Sequence, residues 1–155
     1  MSRCDLRRRE TALFGILAML TILFIWGNSC LSKELSGASS GVVTRFLRSI
    51  FDPNGKIPVE IFHHFVRKAA HFIEFAALGL FVGGFFLSLR AQKGTFVSLP
   101  ILILLSVAVL DEYIQFFTGR GSAVTDVILD FCGALTGAAG SVLFSLLFNK
   151  TSHKK

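Results

Sequence analysis

Four apolar runs, each about as long as a bilayer is thick, leave this chain very few ways to fold. They are Thr11–Trp26 (extending to Ser29), Ala69–Leu89, Thr95–Phe117 and Val124–Phe148. About 20 helical residues cross the hydrocarbon of a membrane, and there a helix satisfies its own backbone hydrogen bonds. Composition agrees: 52% of the residues are hydrophobic, 17 are Phe and the mean hydropathy is +0.64. A 155-residue soluble domain has no core large enough to bury so much apolar surface. The chain therefore reads as an all-α integral membrane protein, a bundle of four transmembrane helices with an interfacial helix in the first outer loop.

The segments between the runs complete the outline. Residues 1–10 form a basic N-terminus, 11–29 the first transmembrane span, 30–59 an outer loop, 60–148 a three-helix core and 149–155 a basic tail. The first run also resembles a signal peptide, with Arg3, Arg7, Arg8 and Arg9 before it and Gly27-Asn28-Ser29-Cys30 after it. It is long for such a segment, and Gly27 stands where a lipoprotein-type site before Cys30 wants an aliphatic residue, so we read an uncleaved span. In the outer loop, the stretch 31–41, LSKELSGASSG, is turn-like and flexible. Gly41–Phe51 then spaces Val42, Val43, Phe46, Leu47 and Ile50 along one helical face, with Arg45, Arg48 and Ser49 off it. Such a helix either lies in the membrane interface or packs on the bundle, and the pattern fits both. Asp52-Pro53-Asn54-Gly55 is a turn, and Pro58 suits the first turn of the helix that follows. Arg90–Gly94 is a short basic break, and Thr118–Thr125 a tight turn holding Arg120.

Alternating the spans places nine Lys and Arg residues in short cytoplasmic segments and seven on the outer side. The denser clusters belong inside, so both termini are expected in the cytoplasm of a multi-pass plasma-membrane protein. The net charge of +6 fits that bias and contact with anionic lipid. No basic stripe with interleaved aromatics points to nucleic acid. Cys4, Cys30 and Cys132 are too scattered for a disulfide framework or a zinc motif.

Charged residues at membrane depth cost about 2.5–3.5 kcal/mol each on insertion scales, so where they occur they mark function. They occur in three places: Arg67, Lys68, His71 and Glu74 at the start of span two; Asp111 and Glu112, with the polar Gln115, at the end of span three; Asp126 and Asp130 at the start of span four. The alternating topology brings all three to the outer side at one depth, while the other halves of spans two to four carry no charge. On each helix the polar residues share one face. Gly133 and Gly137 continue the stripe of Asp126 and Asp130, which lets a neighbouring backbone approach and would make span four the packing centre.

Each residue also has a bland role. His71 can be an interfacial hydrogen-bonding residue, Arg67 and Lys68 snorkelling anchors, Asp126 a helix cap, as could Ser122 or Thr125, and Arg120 a loop charge. As a set they favour one site, because solvated helix ends do not account for Glu74 and Asp130, a turn or more inside. Five carboxylates (Glu74, Asp111, Glu112, Asp126, Asp130) face three fixed cations (Arg67, Lys68, Arg120). The surplus calls for a protonated His71, a neutral carboxyl or a bound divalent cation. We take His71, Glu74, Asp111, Glu112, Gln115, Asp126 and Asp130 as catalytic candidates. His71 with Glu74 and Asp111 with Glu112 would form the core, and Arg67, Lys68 and Arg120 would bind phosphate or carboxylate head groups.

At these residues the chain resembles the VanZ-like family of bacterial membrane proteins. RKAAHFIEF matches that family's R-K-x-x-H-F-x-E-[YF] segment, DEYIQFF with Gly119-Arg120 its D-E-x-x-Q-x-F…G-R segment, and DVILDFCG its D-[VI]-x-x-[DN]-x-x-G segment. The match covers about Phe62–Gly140. Phe75 stands where many members have Tyr, and Asp130 where many have Asn, which adds a negative charge here. The resemblance implies a small helical protein of the bacterial plasma membrane, linked through its named member to teicoplanin resistance. Its partners would be the lipid bilayer and an anionic lipid, a lipid-linked cell-wall precursor or the lipoglycopeptide itself. No established reaction comes with it. Three mechanisms remain: binding, an intramembrane acid/base or metal-dependent enzyme acting on a lipid-linked substrate, and proton or ion transfer.

Overall fold

The computed structural model describes residues 3–89 and 93–152. They form five helices and, among the described residues, no strand: α1 (Arg3–Ser29), α2 (Lys33–Phe51), α3 (Val59–Ser88), α4 (Lys93–Phe117) and α5 (Val124–Ser152). Four contain stretches long and apolar enough to cross a membrane: Asp5–Ser29, Val59–Ser88, Val97–Phe117 and Val124–Leu147. Leu13, Leu20, Ile73, Leu102, Val109, Ile128 and Leu143 on these helices are exposed, as lipid-facing side chains are. The chain is a multi-pass membrane protein.

Lipid is as apolar as leucine, so helices in a membrane are held by close packing rather than by burial of oily surface. The α3–α5 contact shows this. A Cβ on Gly79 would overlap the carbonyl oxygen of Ala134, one on Gly137 that of Ala76, and one on Gly133 would lie 2.5 Å from that of Phe72. On another side of α3, the Phe14 ring of α1 lies over Gly84, where a Cβ would meet it at 2.7 Å. The small core between the helices includes Ile25, Phe75, Leu78, Val82, Phe86, Leu104 and Ala134.

The packing centre is α3, which touches each of the other four helices, rather than the last span as expected. The reason is that α3 carries close-contact glycines toward two partners, α5 and α1, whereas α5 packs mainly on α3 and α4.

A second correction concerns the loop after α1. The stretch read as flexible is helical from Lys33, continuous with the expected amphipathic segment. Its Ser and Gly content argues against a helix locally, but tertiary support overrides propensity. Ser40 Oγ lies 2.8 Å from His63 Nε2 of α3, and Thr44 is buried. The structure combines the two readings of α2: it packs on α3, yet leaves Val42, Phe46 and Ile50 each more than half exposed, as on a helix lying in the interface. After α2 the turn closes on Asp52, which accepts the backbone N–H groups of Lys56 at 2.8 Å and Ile57 at 3.0 Å and pairs with Arg48 at 3.3 Å. The Ile57 N–H, together with Lys56 and Arg48, holds this carboxyl below its ordinary pKa against the opposing effect of burial.

Arg90, in the expected basic break, and 153–155 of the basic tail lie outside the described residues. From Lys93 the chain is already α4, and α5 runs on into the tail as far as Ser152.

Candidate functional site

The ends of α1 and α4 and the beginnings of α3 and α5 meet at one end of the bundle, where Asp111 is fully buried, Asp130 is 1% exposed, and Glu112, Gln115 and Arg120 are buried as well. Helix spacing explains the convergence. Asp111 and Gln115 are one turn apart on α4, and Gln115 Nε2 donates to Asp111 Oδ2 at 2.7 Å. Ser29, the last residue of α1, donates from Oγ to Asp111 Oδ1 at 2.6 Å. His71 of α3 turns Nδ1 toward two carboxylates, 3.7 Å from Asp130 Oδ1 and 3.9 Å from Asp111 Oδ2. That nitrogen and both oxygens of Asp130 are buried without a hydrogen-bond partner.

The sequence-derived pairs are thus regrouped. His71 faces Asp111 and Asp130 rather than Glu74. Glu112, next to Asp111 in sequence, accepts the Ala123 N–H at 3.0 Å, just ahead of α5. It therefore serves one of the backbone donors that every helix start leaves unmet. Asp126, in the first turn of α5, is ion-paired with Lys68. The cations divide in the same way. Arg120 is turned inward by the α4 terminus, where Gly119 adopts φ 71° and the Arg120 N–H bonds to Gln115 O at 3.1 Å. Its guanidinium donates to the Asn28 carbonyl at 2.8 Å. Burial, and then the neighbouring Arg67, push it below the usual guanidinium range, from a starting point so high that it stays charged. Arg67, among the described residues, has no hydrogen bond or ion pair.

Two spaces adjoin these groups. A void of about 10 Å³ lies among Arg67, Lys68, His71, Glu112, Gln115, Asp126, Leu129 and Asp130. A cleft of about 340 Å³ opens on the other side of His71. Its walls are apolar (Phe24, Leu31, Val43, Val66, Ala70), and Arg67, Arg120, His71 and Glu74 supply its charged or titratable side chains. Glu74 also borders an apolar groove with Leu17, Leu20, Thr21, Phe24, Ile73 and Ala77, so it sits on the lipid side of the site.

The family model described as VanZ/LLP1 matches residues 11–147, nearly the whole chain. The chain belongs to the VanZ/LLP1 family. Searches of curated proteins and of solved structures give no match. The family match takes in α1, and α1 supplies the site residues that sequence reasoning missed: Ser29, which holds Asp111, and Asn28, whose carbonyl holds Arg120. The signal is a polar Asn28-Ser29 pair closing an apolar run, which in the sequence is weighed only as a cleavage context before the run is taken as an uncleaved span.

Proposed function

We propose that this VanZ/LLP1 protein binds an anionic, lipid-tailed molecule of the bacterial cell envelope, a lipid or a lipid-linked wall precursor, from the outer leaflet of the plasma membrane. Both termini would then lie in the cytoplasm. The observation that carries this reading is the 340 Å³ cleft, apolar along its walls and cationic where Arg67 and Arg120 enter it. An acyl or prenyl chain suits the first surface, and a phosphate or carboxylate suits the second. Arg67 supports the reading further, as a cation with no hydrogen bond or ion pair among the described residues. Shielding or altering such a molecule connects to teicoplanin, which acts on cell-wall precursors outside the membrane.

A second reading, an enzyme acting on the lipid-linked molecule, is favoured by His71 facing two buried carboxylates at the edge of the same cleft. Proton transfer has less support, because beyond the site the membrane-spanning stretches of α3, α4 and α5, which end at Ser88, Val97 and Leu147, carry no charged residue.

The test has two parts. Purified protein in detergent is expected to retain phosphatidylglycerol over phosphatidylcholine in native mass spectrometry, and Arg67→Ala to reduce that preference severalfold. Cells expressing the protein are expected to lose teicoplanin tolerance with His71→Ala, Glu74→Gln, Glu112→Gln or Asp126→Asn at normal membrane levels. Equal retention of both lipids, with all variants behaving as wild type, would overturn the reading.

A further inference from the structure

Asp130 is the group the fold leaves unexplained. It is 1% exposed and neither oxygen has a hydrogen bond. An uncompensated buried carboxylate costs several kcal/mol. The nearby cations do not relieve it: Lys68 is engaged with Asp126, Arg120 donates to the Asn28 carbonyl, and neither they nor Arg67 form an ion pair with Asp130 among the described residues. What faces Asp130 is His71 Nδ1, also without a hydrogen bond, and beyond it Asp111 Oδ2.

We propose that His71, Asp111 and Asp130 bind one divalent transition-metal ion of the Zn²⁺ or Mn²⁺ class. One nitrogen and two carboxylate oxygens, from three different helices, lie within 4.8 Å of one another. Bonds of about 2.1 Å at tetrahedral angles set ligand atoms about 3.4 Å apart. The 3.7 and 3.9 Å from His71 to the two carboxylates need a contraction of a few tenths of an ångström, and the Asp111–Asp130 edge, within 4.8 Å, closes by at most about 1.4 Å through rotation of the unrestrained Asp130 carboxylate. The adjoining 10 Å³ void is about the room a single water needs.

The donor set selects the class of ion. An imidazole with two carboxylates suits Zn²⁺ or Mn²⁺, whereas Mg²⁺ and Ca²⁺ favour oxygen alone. Charge selects the valence, since two carboxylates, a neutral imidazole and a dication sum to zero at membrane depth. Asp111 is already oriented in the way that ligating carboxylates are. Ser29 fixes one oxygen and Gln115 the other, and each oxygen retains a lone pair. Three protein ligands leave a coordination position open. His71 lines both the void and the cleft, which sets the ion one side chain away from the cleft.

This inference does not depend on the lipid reading, and its test contains no lipid ligand. Chelator-stripped full-length protein in detergent is titrated separately with Zn²⁺, Mn²⁺ and Mg²⁺ by calorimetry, with metal content read by mass spectrometry. The expected result is about one Zn²⁺ or Mn²⁺ per chain. Asp130→Asn is expected to lose more than about 100-fold in affinity, Gln115→Ala about 10–100-fold as an orienting partner, and exposed His64→Ala nothing. Should Asp130→Asn fail to fold, Co²⁺ added to wild type supplies the readout, as visible d–d bands of a site with nitrogen and oxygen ligands. Absence of binding by all three divalent ions, binding that survives both Asp111→Asn and Asp130→Asn, or Co²⁺ bands indistinguishable from the hydrated ion would overturn the proposal.

Discussion

The two ends of this bundle are held together by different physics. Toward the apolar end, α3 and α5 meet backbone to backbone at Gly79 and Gly137, and α1 packs Phe14 onto Gly84. Contact distance is the only requirement there, and it is met. At the polar end, four helices bring together Ser29, His71, Asp111, Gln115 and Asp130, and the hydrogen-bond inventory does not close. Evolution has little reason to keep an unsatisfied carboxylate in a membrane bundle for stability's sake. The comparison teaches that the glycine contact builds the fold, and that the polar end uses the rigidity this provides to hold groups that would otherwise be solvated or lost. The spaces differ in their titratable lining: the clefts of about 680 and 810 Å³ beside α1 combine apolar walls with Arg7, Arg8 or Glu10, whereas the smaller cleft at the polar end combines apolar walls with Arg67, Arg120, His71 and Glu74.

The comparison can be broken most directly at the glycine contact. Gly137→Leu drives a side chain into the α3 backbone and is expected to destabilise by about 3 kcal/mol, the upper end of the usual cost of overpacking. The readout is the thermal unfolding midpoint in detergent together with size-exclusion behaviour. A variant that melts like wild type would mean the bundle is not held there. Next in size is Ser29→Ala, which removes a hydrogen bond to a buried carboxylate and is expected to cost about 1.5–3 kcal/mol by the same assay. No change on this substitution would place α1 outside the site.

Asp130→Asn sharpens the contrast because its expected sign is opposite. In metal-free protein it removes a buried charge that has no partner, so stability should rise by about 1 kcal/mol while teicoplanin tolerance falls. A large loss of stability would show that the carboxylate has a structural partner. The smallest expected effect is that of Arg67→Ala, within about 0.5 kcal/mol of wild type in stability, yet with a severalfold loss of preference for phosphatidylglycerol. If melting and lipid retention fall together, Arg67 belongs to the structural framework.

Much of the site is legible in the sequence. His71, Glu74, Asp111, Glu112, Gln115, Asp126 and Asp130 can be assigned to one end because charge at membrane depth is rare and the spans alternate. Partner choice is not legible, because sequence neighbours such as Asp111 and Glu112 point about 100° apart on a helix. Glu112 consequently serves the start of α5 while Asp111 is fixed by Ser29 and Gln115. The helix beginning at Lys33 escapes a sequence reading for a related reason, since its weak local signal is overruled by contacts with α3 that only the folded chain possesses.

By itself, then, the sequence determined the class of protein, the number of helices able to span a membrane and the end of the bundle where the polar side chains gather. All three follow from the cost of placing backbone and charge in hydrocarbon, which depends on residue type and order along the chain. Only the tertiary structure decided which helix lies at the centre, which face of α2 looks outward, and that His71 turns to Asp111 and Asp130. Those outcomes depend on helix rotation and approach, set to within an ångström by glycines meeting carbonyl oxygens across the α3–α5 contact.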